Sequence, residues 1–187
     1  MAIAEPTRRW LLASAREALA SALDTADTVT PAGLAPDDAL LDEPARVFVS
    51  WHDGTHLLGC IGTLQPYASL AGAVRHYAVQ AGLHDPRIGP MRAAQVAGAQ
   101  GEIAVLAPER ELPARGIDAI AKALVPGRDG VILRHGRRRG VFLPVVWEKL
   151  PVAHDLLDAL CRKAGIASPH ERAEARAEVF AVESWSD

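Results

Sequence analysis

The sequence predicts a mixed α/β protein, and three observations carry that expectation. Apolar residues recur at helical spacing over 7–23 and 152–164. Between them, an alternating stretch with Val, Phe and Trp surrounds an Asp-Gly pair, the pattern of a β-hairpin. Finally, 49% of the 187 residues are hydrophobic and 23% are charged, which places the chain outside the disordered class. That length suits one domain or two intimately packed lobes.

The first helix is expected over 7–23. Leu11, Leu12, Ala15, Leu19 and Leu23 form its apolar stripe, and Arg8, Arg9, Arg16 and Glu17 its polar face. Residues 24–43 are rich in Pro, Asp, Thr and Ala and read as an irregular connection. Arg46 to His52 and His56 to Ile61 read as paired strands, with Asp53-Gly54 as the two-residue turn. A helix follows over 67–81, with Leu70, Val74 and Ala78 in one row, and 83–87 breaks it at Pro86.

Further strands are expected over 99–106, 130–133 and 140–143, the last two flanking a basic turn at 135–138. Short helices are expected over 117–124 and 145–149, the second begun by Pro144. A strong helix runs over 152–164 and stops at Gly165. A last strand is expected over 177–182.

Charge and hydropathy limit the function. A net charge of −3 gives no electrostatic basis for binding nucleic acid or an anionic membrane. No stretch is long and apolar enough to span a bilayer. The N-terminal run lacks the order of a signal peptide, so a cytoplasmic location is expected. Cys60 and Cys161 are too few for a disulfide scaffold or an iron–sulfur cluster, and thiols are expected. The seven histidines show no metal-binding spacing, so no metal is expected. Phosphate-loop, dinucleotide and serine-hydrolase motifs are absent from the sequence, and it names no cofactor.

Two stretches stand out. In Leu58-Gly59-Cys60-Ile61-Gly62-Thr63, two glycines bracket a cysteine on a strand. Strand glycines mark bulges or close backbone approaches. Cys60 is therefore either an accessible nucleophile or a small residue in a crowded strand. With Asp53-Gly54 as the turn, Cys60 falls opposite Val47 and shares an apolar face with His56, Val49 and Trp51. His56 is then roughly 13 Å along the strand from Cys60, too far to serve as its base. In His84-Asp85-Pro86-Arg87, Asp85 and Arg87 either position a ligand or close the helix with a local ion pair. The run Arg134 to Arg139 reads as a solvated hairpin tip. Cys161 follows the helical stripe of Leu156, Leu157 and Leu160 and reads as packing.

Taken in order, these stretches resemble one family. Gly59 to Thr63 resembles the core of an LRGCIGT hallmark, and Ala81 to Arg87 an A-x-x-DPR segment. Glu102 to Pro108, Gly127 to Leu133, Gly140 to Trp147 and Leu156 to Ile166 match its later segments in sequence order. The chain is identified on these grounds as a member of the AMMECR domain family, also called AmmeMemoRadiSam system protein A.

The resemblance covers nearly all of 1–187 as a single domain of this type. It implies an antiparallel sheet flanked by helices. It also implies a larger lobe from both chain ends, a smaller lobe from the middle, and a cleft between them that holds the hallmark. Cleft residues would be Cys60 as candidate catalytic group, with Gly59, Gly62, Thr63, His84, Asp85 and Arg87 as candidate binding residues. The partners it implies are a Memo-type protein and a radical SAM protein.

Three departures matter. Leu58 stands where the hallmark has arginine, Ile88 where an aromatic follows DPR, and Val145 where the family has glutamine. An anion held by the hallmark arginine would need Arg75, Arg87 or Arg92 instead. Two readings result. One is a binding or auxiliary component acting with those partners. The other is an enzyme using Cys60 on a small-molecule substrate, which predicts labelling of the folded thiol below about pH 9.

Overall fold

The computed structural model describes residues 2–187. In chain order its elements are α1 (Glu5–Ala22), β1 (Arg46–Asp53), β2 (His56–Gly62), α2 (Leu70–Leu83), α3 (Ala93–Val96), β3 (Gln100–Leu106) and β4 (Arg110–Arg115). There follow α4 (Ile117–Ala123), β5 (Gly130–His135), β6 (Arg138–Phe142), α5 (Ala153–Ala164), α6 (Pro169–Glu174), β7 (Arg176–Phe180) and β8 (Val182–Ser186). Short 3-10 turns occupy Ala26–Thr28, Ala39–Asp42 and Pro144–Glu148. The chain divides into two compact units. One runs to Leu106 and takes back Glu183–Asp187, and the other is Ala107–Val182.

The first unit carries a four-stranded sheet in the order β2-β1-β3-β8. Strand alternation sends Val47, Val49 and Trp51 to one face, where they are fully buried. Their core cluster includes Leu11, Ala15 and Leu19 of α1 and Ala73, Val74, Ala78 and Ala81 of α2. Small residues on α2 let it lie close to the sheet. The buried Trp51 indole donates its N–H to the Ala78 carbonyl at 3.0 Å, so its one polar atom is satisfied. Ser69 caps α2, its Oγ accepting from the Gly72 N–H at 3.1 Å. The helix therefore begins at Leu70, and Tyr67 instead bridges to Ala45 as an isolated β-pair.

The second unit carries a sheet in the order β4-β7-β5-β6. Val131, Leu133 and Val179 pack with Ile120, Trp147, Leu156, Leu157, Leu160 and Cys161. Trp147 donates its indole N–H to the Asp129 carbonyl at 2.7 Å. Asp129 in turn holds the 125–129 turn, its carboxylate accepting from the Val125 N–H at 2.9 Å. Gly165 ends α5 in the left-handed conformation expected of a helix stop, at φ 73°.

Four elements went unforeseen, the four-residue helix α3 among them. Strand β4 contains Pro113, which is tolerated because β4 is an edge. Helix α6 opens on a Ser168–Glu171 capping box, a signal present in the sequence. Strand β8 is short and half polar.

The hairpin register also differs from expectation. Its two-residue turn is Gly54-Thr55, with Asp53 paired to His56. Only Gly54 of the two has positive φ, at 56°, as a type II′ turn with glycine first requires. A bulge then leaves Leu58 without a partner, between His52↔Leu57 and Trp51↔Gly59. Cys60 consequently pairs with Ser50, not Val47. Because strand faces alternate, that shift moves Cys60 off the apolar face and away from Val49 and Trp51.

Candidate functional site

The hallmark segment lies on β2, an edge strand. Its two glycines are demanded by packing. A Cβ on Gly59 would stand 1.9 Å from the Ala81 carbonyl oxygen, so α2 crosses directly over the strand. A Cβ on Gly62 would stand 2.2 Å from the Val47 carbonyl oxygen and 2.5 Å from the Phe48 ring. The bracketing of Cys60 thus follows from close approach on both faces, whatever the thiol does.

An edge strand exposes unpaired backbone groups, and here Asp85 and Arg87 cover them. The Cys60 N–H donates to Asp85 Oδ2 at 2.9 Å. The Cys60 carbonyl accepts from Arg87 Nη2 at 2.7 Å. The two side chains are joined by Arg87 Nε to Asp85 Oδ1 at 2.9 Å and Arg87 Nη2 to Asp85 Oδ2 at 2.7 Å. The Arg87 N–H adds a fourth bond to the carboxylate at 3.0 Å. Together they act as a side-chain substitute for the missing neighbouring strand. Proline between them helps fix that short reach, since it restricts both its own φ and the residue before it.

Asp85 is 2% exposed. Its hydrogen bonds from the Arg87 side chain, outweighing desolvation, hold its carboxyl below the ordinary carboxylate range, and the Cys60 and Arg87 N–H groups add to the effect. Arg87 is pushed further up, chiefly by its bond to Asp85, with smaller contributions from the adjoining Cys60. The Arg87 side chain remains 63% exposed.

The corrected register brings together groups that sequence reasoning had kept apart. Cys60 pairs with Ser50, and Ser50 pairs on its other side with Glu102 of β3. His52 lies on that same face, with Nε2 3.7 Å from Glu102 Oε2. Cys60 is half-buried. The histidine sharing its face is thus His52, not His56. Glu102 was legible only as part of the E-I-A-V-L segment, and Ser50 and His52 carried no sequence signal without the bulge.

The remaining candidates behave differently. Thr63 donates its N–H to the Val47 carbonyl at 2.8 Å, and its Oγ closes a local turn with Gln65. His84 is exposed and ends α2 through its backbone N–H, bonded to the Gln80 carbonyl at 2.8 Å. Arg75 turns to α1, donating to Ser14 Oγ at 2.9 Å. Of the three arginines that might replace the hallmark one, Arg87 is the one bonded to the Cys60 segment. In the basic run, Arg134, Arg138 and Arg139 pair with Glu178, Glu171 and Glu109, as a solvated tip does. Cys161 is buried, and burial pushes its thiol up, in keeping with packing. Among the described residues no group of three or more His, Cys, Asp or Glu side chains is arranged to hold a metal ion. No helix among them is long and apolar enough to cross a membrane.

Comparison with known proteins bears on all of these segments together. Protein TV1384 of Thermoplasma volcanium is 31% identical over 134 residues, covering 70% of this chain and 66% of its own length. Protein Ta0236 of Thermoplasma acidophilum is 32% identical, with 70% and 65% covered. The chain thus spans just under two thirds of these two relatives. A protein of Thermofilum pendens is 30% identical over 171 residues, covering 83% of this chain and 78% of its own length. The crystal structure of the uncharacterized protein PH0010 from Pyrococcus horikoshii is similar, with a TM-score of 0.78 and 26% identity, covering 99% of this chain and 93% of that one. The family profile described as AMMECR1 matches residues 12–185, and the chain belongs to the AMMECR1 family.

Proposed function

We propose that the chain is a cytoplasmic binding or auxiliary component that works with a Memo-type protein and a radical SAM protein. The observation that carries this reading is the clamp on β2. Asp85 and Arg87 satisfy each other and the Cys60 backbone, so the segment is held as a fixed surface. Near it in the chain, Leu57 and Ile88 are exposed apolar side chains, at 38% and 43%. Exposed apolar groups on a rigid support suit a protein contact better than solvent. The Leu57→Asp, Ile88→Asp double variant should keep the wild-type melting profile yet lose co-purification with both partners from the native host. Undiminished recovery of the partners with the variant, or their absence with the wild type, would overturn the reading.

A second reading, cysteine chemistry, is favoured by the register of β2. That register removes Cys60 from the apolar face and puts it on the sheet face of Ser50, His52 and Glu102. On this reading Cys60 of the folded chain is alkylated by iodoacetamide at neutral pH. Labelling that begins only above about pH 9, as for an unassisted thiol, would sink it.

A further inference from the structure

The sheet of the second unit, away from the hallmark segment, joins like charges at three directly opposed positions. Arg115 of β4 pairs with Arg176 of β7, Arg176 with Arg134 of β5, and Arg134 with Arg139 of β6. Four arginines therefore form one row across all four strands. Directly opposed residues share a face roughly 5 Å apart, and like charges so placed are destabilising. A bulge completes the row. Arg110 and Glu111 pair with Val179 and Glu178, and that register carried onward would set Pro113 opposite Arg176. A shift of two residues puts Arg115 there instead. Bulges re-aim side chains and are over-represented beside functional sites.

Arg115, Arg176 and Arg134 line a cavity of about 440 Å³, within the size range of small-molecule sites. His135 and, from α6, His170 line it too. Glu111, Glu174 and Glu178 supply its carboxylates. Two of the arginines are committed to these acids. Arg115 bonds to Glu174, and Arg134 Nη2 donates to Glu178 Oε2 at 3.0 Å. Arg176, between them, is not. Its guanidinium is 3.7 Å from Glu111, and the two side chains are 63% and 69% exposed. Among the described residues, neither that guanidinium nor the two imidazoles makes a side-chain hydrogen bond. The row thus holds a cation at its centre, crowded by two others, with its donors turned to no partner.

We infer that this cavity binds a phosphorylated sugar or polyol, with the phosphoryl group on Arg176. A guanidinium presents a planar fork of donors that matches phosphate oxygens, and a bound dianion relieves the repulsion along the row. The three carboxylates oppose a ligand that is anionic throughout, yet each keeps lone pairs able to accept from hydroxyls. Among the described lining residues Ala177 is the only aliphatic side chain, so the wall offers little to an acyl chain or a nucleobase. One anionic end and a hydroxyl-rich body are what remain. The site is independent of Cys60 and of the β2 clamp.

The test titrates the full chain with glucose 6-phosphate, ribose 5-phosphate and glycerol 3-phosphate at constant ionic strength, followed by NMR of the labelled protein. At least one should bind, shifting the amides of Arg115, Arg134 and Arg176, and about 10-fold tighter than inorganic phosphate. Arg176→Gln should weaken that binding about 10-fold through loss of its charge-assisted hydrogen bonds. Arg137→Gln, outside the lining, should leave it unchanged. Binding of none of the three, equal affinity for inorganic phosphate, or wild-type affinity in Arg176→Gln would each overturn the proposal. Melting separates a binding role from a structural one. Without ligand at low salt, Arg176→Gln should melt no lower than the wild type, because it removes repulsion and forfeits only a loose, exposed pair. A lowered melting temperature would mean that the row serves the sheet itself, and the inference would fall.

Discussion

Gly59→Ala will destabilise the chain by about 3 kcal/mol or more, the upper end of what overpacking a core does. The added methyl would stand 1.9 Å from the Ala81 carbonyl oxygen and 2.8 Å from its carbon. Both are backbone atoms of α2, so no side-chain rotation relieves the clash. Either β2 leaves the sheet or α2 lifts from it, and α2 contributes Ala73, Val74, Ala78 and Ala81 to the core. Gly98 supplies the control. A Cβ there meets nothing within 4 Å and its φ is not positive, so Gly98→Ala should move stability by less than about 0.5 kcal/mol. Urea denaturation of both variants reads the contrast. Equal midpoints would mean that α2 does not cross β2 as closely as described.

The same glycine shows what the sequence could reveal. Glycine on either side of Cys60 announced a close backbone approach, and the structure supplies the backbones, Ala81 and Val47. The α/β class, α1, α5 and the β1–β2 hairpin were legible because period and turn chemistry are local. The register was not. Asp53-Gly54 satisfies one turn rule and Gly54-Thr55 another, and the two differ by which residue must take positive φ. The bulge at Leu58 is set by tertiary packing and has no local signature. Those two unknowns decided which face Cys60 occupies, and with it whether His56 or His52 shares that face. The clamp was half legible. Asp85-Pro86-Arg87 read as a helix stop with a local ion pair, and that pair exists. That it also substitutes for a strand along the β2 edge required knowing that β2 is an edge.

Asp85→Ala should cost about 3 kcal/mol at neutral pH, the lower end of the range for removing one partner of a buried ion pair. The carboxylate accepts four hydrogen bonds, from the Cys60 N–H and from three donors of Arg87. Its loss strands the Cys60 N–H on the strand edge. The effect stays at the lower end because Arg87 is 63% exposed and water can hydrate the freed guanidinium. The pH dependence follows from the direction of the shift. The Asp85 carboxyl is held below its ordinary value in the folded chain, so the unfolded chain binds its proton first on acidification. The stabilisation is therefore complete above the ordinary carboxylate range, near pH 4, and is lost as pH falls from there through the folded value. Urea midpoints for wild type and Asp85→Ala should accordingly differ most near pH 7 and draw progressively together as pH falls below about 4. A gap that widens in acid, or none at neutral pH, would mean that the ion pair does not hold the edge. Asp85→Asn separates charge from shape: an amide oxygen can still accept from the Cys60 N–H but cannot pair bidentately with Arg87. Its midpoint should fall between the other two and should not follow acid as the wild type does.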